Sequence, residues 1–153
     1  NHITAAKAVA FKEAMQPEFK EYAKQIVKNA KALADALMAK GARLVSNGTD
    51  NHLMLVDVKQ SFGIDGKTAA TALAKAEIYC NKNTIPYDKG TPWRPSGIRL
   101  GTPAITTRGM KETEMQEIAE LIVKVLKKPN DNKVIEKVRG EVTELTKQFP
   151  FYM

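Results

Sequence analysis

Residues 53–58 read Leu53-Met54-Leu55-Val56-Asp57-Val58, and this run separates a mixed chain from an all-helical one. It is nearly continuous apolar sequence with two valines, which predicts a strand buried on both faces. Just upstream, Arg43 to Ser46 is a second short strand candidate, and Asn47-Gly48-Thr49-Asp50-Asn51 between the two reads as a turn. A turn that short cannot carry a parallel crossover, so the two strands should run antiparallel.

Outward from this pair the period changes. Upstream, Phe19, Tyr22, Ile26, Ala30, Leu33 and Leu37 recur at three- and four-residue steps and define a long helix ending near Lys40. Gly41 suits a left-handed helix stop. Pro17 suits an opening turn, which leaves a separate short helix over about Thr4 to Met15. Downstream, Asp65 is a candidate cap for a helix from Gly66 to about Ala76. Ile78 to Cys80 and Ile98 to Leu100 read as further short strands.

Between those strands lies a polar loop, Asn81 to Pro95, with Pro86, Pro92, Pro95 and Gly90. Loops of that length in a compact domain are usually functional or disordered. Two amphipathic helices close the chain, Glu112 to Lys127 and about Asp131 to Gln148. Pro129 separates them, and Asn130 is a candidate cap for the second. The expected fold is α+β, a small mostly antiparallel sheet covered by helices. A length of 153 residues fits one domain, 1–153.

The formal charge is +7, from 24 basic and 17 acidic residues. Such a balance admits nucleic acid, a membrane surface or an anionic substrate. Lys20, Lys24, Lys28 and Lys31 recur at helical spacing opposite the apolar stripe and read as a solvated face. No aromatic interleaving or nucleic-acid motif accompanies them, so nucleic acid is not an expected partner. No apolar run approaches the roughly 20 residues of a membrane span. Cys80 is the lone cysteine; it reads as a buried structural thiol and suits a reducing cytoplasm. The chain opens on Asn1, in residues that already read as helix, and the expectation is a piece of a longer polypeptide.

The segment richest in chemistry is Pro95-Ser-Gly-Ile-Arg-Leu-Gly-Thr-Pro-Ala104. Gly97 and Gly101 flank Arg99 and permit close backbone approach. An arginine there offers a planar two-pronged donor to a carboxylate; the bland alternative ties it to a neighbouring acid or a helix end. Asn83 offers an amide with both donor and acceptor, or else serves the loop backbone. His52 leads into the apolar run and is expected to be hydrogen-bonded within the fold rather than catalytic. No Cys-x-x-Cys or His-Glu-x-x-His spacing exists, so no metal site is expected.

Asp50-Asn-His-Leu, Asn81-Lys-Asn-Thr, Ser96-Gly-Ile-Arg-Leu-Gly-Thr-Pro-Ala and Thr106-Thr-Arg-Gly occur in this order. Together with His2-Ile-Thr-Ala-Ala-Lys and Pro17-Glu-Phe-Lys-Glu-Tyr, they resemble the C-terminal portion of serine hydroxymethyltransferase, also called glycine hydroxymethyltransferase. The resemblance covers essentially the whole chain. It implies the C-terminal small domain of a fold-type-I enzyme that uses pyridoxal 5'-phosphate and assembles as a homodimer or homotetramer. The reaction implied is transfer of the hydroxymethyl carbon of serine to tetrahydrofolate, giving glycine and 5,10-methylenetetrahydrofolate. By the same resemblance Arg99 grips the carboxylate of serine or glycine, and Asn83 contacts the folate. Positioning is then the chain's contribution, with the cofactor as electron sink.

The family's cofactor lysine sits in a Thr-His-Lys-type motif, and this chain contains none. No catalytic residue is therefore expected here, and the chain alone is expected to be inactive, its missing groups lying in the remainder of the same polypeptide. Trp93-Arg94-Pro95 departs from the Phe-Val-Thr of many bacterial members and resembles eukaryotic Arg-Pro versions. Two alternatives stay open on residues alone. One is the C-terminal domain of another fold-type-I enzyme, such as an aminotransferase; the other is a non-catalytic anion- or nucleic-acid-binding domain.

Overall fold

The computed structural model describes residues 1–151. The elements run α1 (His2–Ala14), α2 (Pro17–Ala39), β1 (Leu53–Asp57), α3 (Val58–Phe62), α4 (Gly66–Lys75), β2 (Asn81–Asn83), β3 (Gly97–Gly101), α5 (Pro103–Thr107), α6 (Glu112–Lys127) and α7 (Asn132–Gln148). The three strands form one antiparallel sheet in the order β1-β3-β2. The α+β class expected from the pattern is the class observed.

Strand alternation divides the sheet into two faces. Met54, Val56, Ile98 and Leu100 are buried on the inner face. There they join Leu33 and Leu37 of α2, Leu73 of α4, Met115 and Ile122 of α6, and Val138 of α7 in one core. The outer face carries Leu53, Leu55 and Asp57 of β1, Gly97, Arg99 and Gly101 of β3, and Asn81 and Asn83 of β2. β1 is thus not sealed on both sides as its composition suggested: Leu53 and Leu55 are only half-buried while Met54 and Val56 are covered.

Other boundaries moved for identifiable reasons. Asp57 ends β1 because its carboxylate accepts the Gln60 amide and caps α3, so Val58 belongs to a helix. Arg43 to Ser46 forms no strand: Leu44 makes one bridge to Val56, and a 3-10 turn follows over Val45–Asn47. Ser46 and Asn47 adopt positive φ of 63° and 53°, which breaks any extended run. Ile78 to Cys80 is also not a strand. The Ile78 amide returns to Leu73 O at 2.9 Å and closes α4 through Glu77 at φ 61°, so pairing begins only at Asn81. At α7 the cap is Asp131, which accepts from the Lys133 and Val134 amides, rather than Asn130.

α1 differs from every other helix. None of its residues is buried, and Ile3, Val9 and Phe11 are 61%, 57% and 69% exposed. A helix of 13 residues is marginal without packing, since isolated helices below about 12–15 residues barely hold. The lysines of α2 lie on an exposed face, as their spacing predicted. No helix among the described residues is long and apolar enough to cross a membrane.

Candidate functional site

β3 is the central strand, so Arg99 is held from both sides, opposite Leu55 on β1 and Asn81 on β2. Its side chain is exposed on the outer face. Among the described residues the guanidinium has no ion pair and no hydrogen bond. The bland alternative, an arginine tied to a neighbouring acid, is therefore not what the fold builds. Arg99 lines none of the cavities described beside β1, the 85–90 loop or helix α6, and it stands exposed.

Small residues clear that surface. Gly97 precedes Arg99 by one pleat, and a Cβ there would stand 2.7 Å from Ile85 Cγ2 and 3.0 Å from both Asn83 O and Val56 O. Glycine is thus what lets β2, its following loop and β1 close on β3 together. Behind the strand, Gly66 fits against the Gly97 carbonyl, where a Cβ would meet oxygen at 2.0 Å. Helix α4 is thereby seated directly on the strand that carries Arg99.

The far end of β3 is anchored by a buried polar network. Thr102 donates its hydroxyl to Ile26 O at 2.9 Å, and Thr106 donates to Thr102 O at 2.8 Å. Asn29, fully buried in α2, donates to Thr106 Oγ1 at 2.8 Å and to Met110 O at 2.9 Å. Every polar atom is matched, so burial here fixes geometry rather than costing stability. No reading of the sequence pointed to Asn29. It sits one position from Ala30 on a helical stripe, and only three-dimensional pairing explains a polar residue there.

Asn83 lies on the same outer face, on β2, and is half-buried. Its amide nitrogen donates to Thr84 O at 2.7 Å, while Oδ1 has no partner among the described residues. The structure thus brings Arg99 and Asn83 onto one face of adjacent strands, with Asn83 paired to Gly97 and Asn81 to Arg99. His52 does not join them. Its imidazole is exposed and without a hydrogen bond among the described residues; only its carbonyl is used, by Thr102 N at 3.0 Å.

The loop after β2 is ordered by Asp88, a residue given no role by sequence reasoning. Its Oδ2 accepts from Ile85 N at 3.2 Å and Ser96 N at 2.9 Å. Its Oδ1 accepts from Gly90 N at 2.7 Å and Ser96 Oγ at 2.6 Å. Partial burial works to raise this carboxyl, but those donors outweigh it and hold Asp88 at about 2. The signal in the sequence was an aspartate between Pro86 and Gly90, the setting of an Asx turn. Lys82 ties the loop from the other side, donating to Trp93 O at 3.1 Å and lying 5.5 Å from the indole centroid. Cys80 is half-buried and its thiol is pushed up to about 11 by burial, so it stays protonated near neutrality.

The face suits a carboxylate and a heterocycle edge, because it offers an unpaired guanidinium and an amide oxygen. It does not suit anchoring an aldehyde cofactor: no strand position on it is a lysine, and Lys82 alternates to the opposite side. Among the described residues no three His, Cys, Asp or Glu side chains converge as metal ligands.

The chain is thus an open-faced α+β unit with an exposed arginine on its central strand, a surface whose chemistry suits a carboxylate. The family model for serine hydroxymethyltransferase matches residues 1–122. The chain is 59% identical over 151 residues to a serine hydroxymethyltransferase of Acidobacterium capsulatum, covering 99% of this chain and 35% of that protein. It is 56% identical to those of Polynucleobacter necessarius and a Janthinobacterium species, covering 36% of each. The chain belongs to the serine hydroxymethyltransferase family, and it spans about a third of the length of these curated relatives. Its homologues are enzymes, transferases by name, and the family is one that depends on pyridoxal phosphate.

Proposed function

We propose that this chain is the C-terminal domain of a serine hydroxymethyltransferase, supplying the clamp for the amino-acid carboxylate. The observation that carries the reading is Arg99, an exposed guanidinium without an internal partner on a strand hydrogen-bonded along both edges. Two parallel N–H donors grip a carboxylate in a fixed plane. A substrate held at that end has its α-carbon oriented for bond cleavage, which is catalysis by positioning. Asn83, on the adjacent strand, offers Oδ1 toward the folate, so serine or glycine and tetrahydrofolate would meet over one face.

The cofactor lysine and the remaining reacting groups belong, on this reading, to the rest of the same polypeptide. The bare apolar residues of α1 and the Met15 that follows it support this, since Ile3, Val9, Phe11 and Met15 are all exposed. Oligomers, dimer or tetramer, would complete the assembly, in a reducing cytoplasm that suits an unpaired thiol. The domain alone would be inactive.

The test is Arg99→Lys in the full-length polypeptide. Lysine keeps the charge and loses the fork. Serine binding should weaken about 100-fold, near 2.7 kcal/mol, with turnover falling alongside. Unchanged kinetics would remove Arg99 from the substrate site. Dependence of the reaction on tetrahydrofolate separates this reading from an aminotransferase, which would turn over without it.

A further inference from the structure

Asn83 and Arg99 share a face but are not held equally. β3 is paired along both edges, to β1 across Leu53–Asp57 and to β2 across Asn81–Asn83. Its entry is fixed from behind as well, by Gly66 N donating to Pro95 O at 2.7 Å and Lys59 N donating to Ser96 O at 3.0 Å. β2 is an edge strand of 3 residues. Its last pair is Asn83 with Gly97, and beyond that pair the ladder stops.

Asp88 stands at that point. Oδ2 takes the Ile85 amide, two residues past Asn83, and the Ser96 amide, one residue before Gly97. One carboxylate oxygen therefore bridges the two chains just past their last pair, doing what a ladder carbonyl would do between them. Oδ1 secures the intervening loop through Gly90 N and doubles the hold on Ser96 through its hydroxyl. Charge-assisted bonds of this kind are stronger than neutral ones. A Cβ on Gly90 would lie 2.6 Å from Arg94 O and 3.0 Å from Asp88 Oδ1, so the turn is built tightly around the carboxylate.

We propose that Asp88 is the positioning residue for Asn83: by pinning the end of edge strand β2 to β3, it sets where the Asn83 amide meets the folate, and it leaves Arg99 where it is. This rests on the reading of Asn83 as the folate contact. The asymmetry follows from the sheet, since Arg99 keeps its hold from β1 and from the backbone bonds of Lys59 and Gly66 when the carboxylate is gone. Asn83 keeps its short ladder, the packing of β2 beside α4 and the exposed Lys82–Trp93 tie, none of which fixes the strand's far end.

The experiment measures serine and tetrahydrofolate dissociation constants separately in the full-length holoenzyme, for Asp88→Ala, Asp88→Asn, Asn83→Ala and Arg99→Lys. Asp88→Ala should weaken tetrahydrofolate about 10-fold, the scale of one or two charged hydrogen bonds, and shift serine by less than about twofold. Asp88→Asn should recover most of the folate loss. Asparagine keeps one oxygen for the Ile85 and Ser96 amides, and its NH2 can donate to the Ser96 hydroxyl, leaving Gly90 N alone unserved. If Asp88→Ala does not fold, Asp88→Asn carries the test with a loss of about threefold confined to folate. Equal weakening of both ligands, in whichever variant folds, reduces Asp88 to general structural support and overturns the proposal. Loss of folate affinity in Asn83→Ala with none in Asp88→Ala also overturns it and leaves the reading of Asn83 standing. Unchanged folate affinity in Asn83→Ala sinks that reading instead.

Discussion

β3 and β2 carry the two candidate ligand contacts by opposite means. β3 is a central strand with glycines at both ends, apolar side chains locked into the core below, and its arginine standing free above. β2 is short, polar and at the sheet edge, and its order is borrowed from a loop carboxylate and a lysine–tryptophan contact. The comparison teaches that a site residue can be fixed by the fold as a whole or by a local clamp. Only the second kind can be loosened without damage elsewhere.

Three further perturbations test this contrast. Ile98→Ala removes a fully buried side chain from the inner face of β3. It should cost about 2–5 kcal/mol in denaturant unfolding and weaken both ligands, because the strand common to them shifts. A cost below 1 kcal/mol, roughly the value for an exposed site, would show that β3 is not the rigid member. Gly97→Ala forces a methyl between Ile85 and two backbone carbonyls. Overpacking of that kind costs about 1–3 kcal/mol, and here the edge strand should yield, so amide exchange should quicken in 81–83 more than in 53–57. Equal exchange in both strands would contradict the contrast.

The smallest effect is acid opening of the loop. Asp88 is held at about 2, below its ordinary 3.8. A carboxyl depressed in the folded state contributes its stability fully above the unfolded value and loses it as pH falls through the folded one. The contribution is therefore intact above about pH 4 and fades toward pH 2. Trp93 is the single tryptophan of these 153 residues, so the fluorescence that Trp93→Phe removes should report this step, and Asp88→Asn should lack it. A step of the same size in Asp88→Asn would assign it to another group.

Much of this was legible in the residues. The long helices follow from three- and four-residue apolar steps, and the strands at 53–57 and 97–101 from their apolar runs, but the partner expected for the first, Arg43 to Ser46, supplies one bridge and β3 takes its place. What failed was strand placement wherever apolar composition and backbone geometry disagreed. Ile78-Tyr79-Cys80 looks like a strand and is the tail of a helix stop, while polar Asn81-Lys82-Asn83 is the strand, because edge pairing needs backbone groups and no core. α3 and α5, each of 5 residues, are too short to show a period. Arg99 could be singled out in the sequence because it lies between glycines. Asn29 could not be, since its partners Thr106 and Met110 lie far along the chain, and for Asp88 the residues show a turn setting but not its hold on Ser96.

The bareness of α1 has a practical side. A gene cut just ahead of Pro17 would delete no covered side chain, yet it would shed several of the greasiest exposed ones. Anyone expressing this region by itself could trade the leading 16 residues for better behaviour in solution, and keep both strands that matter.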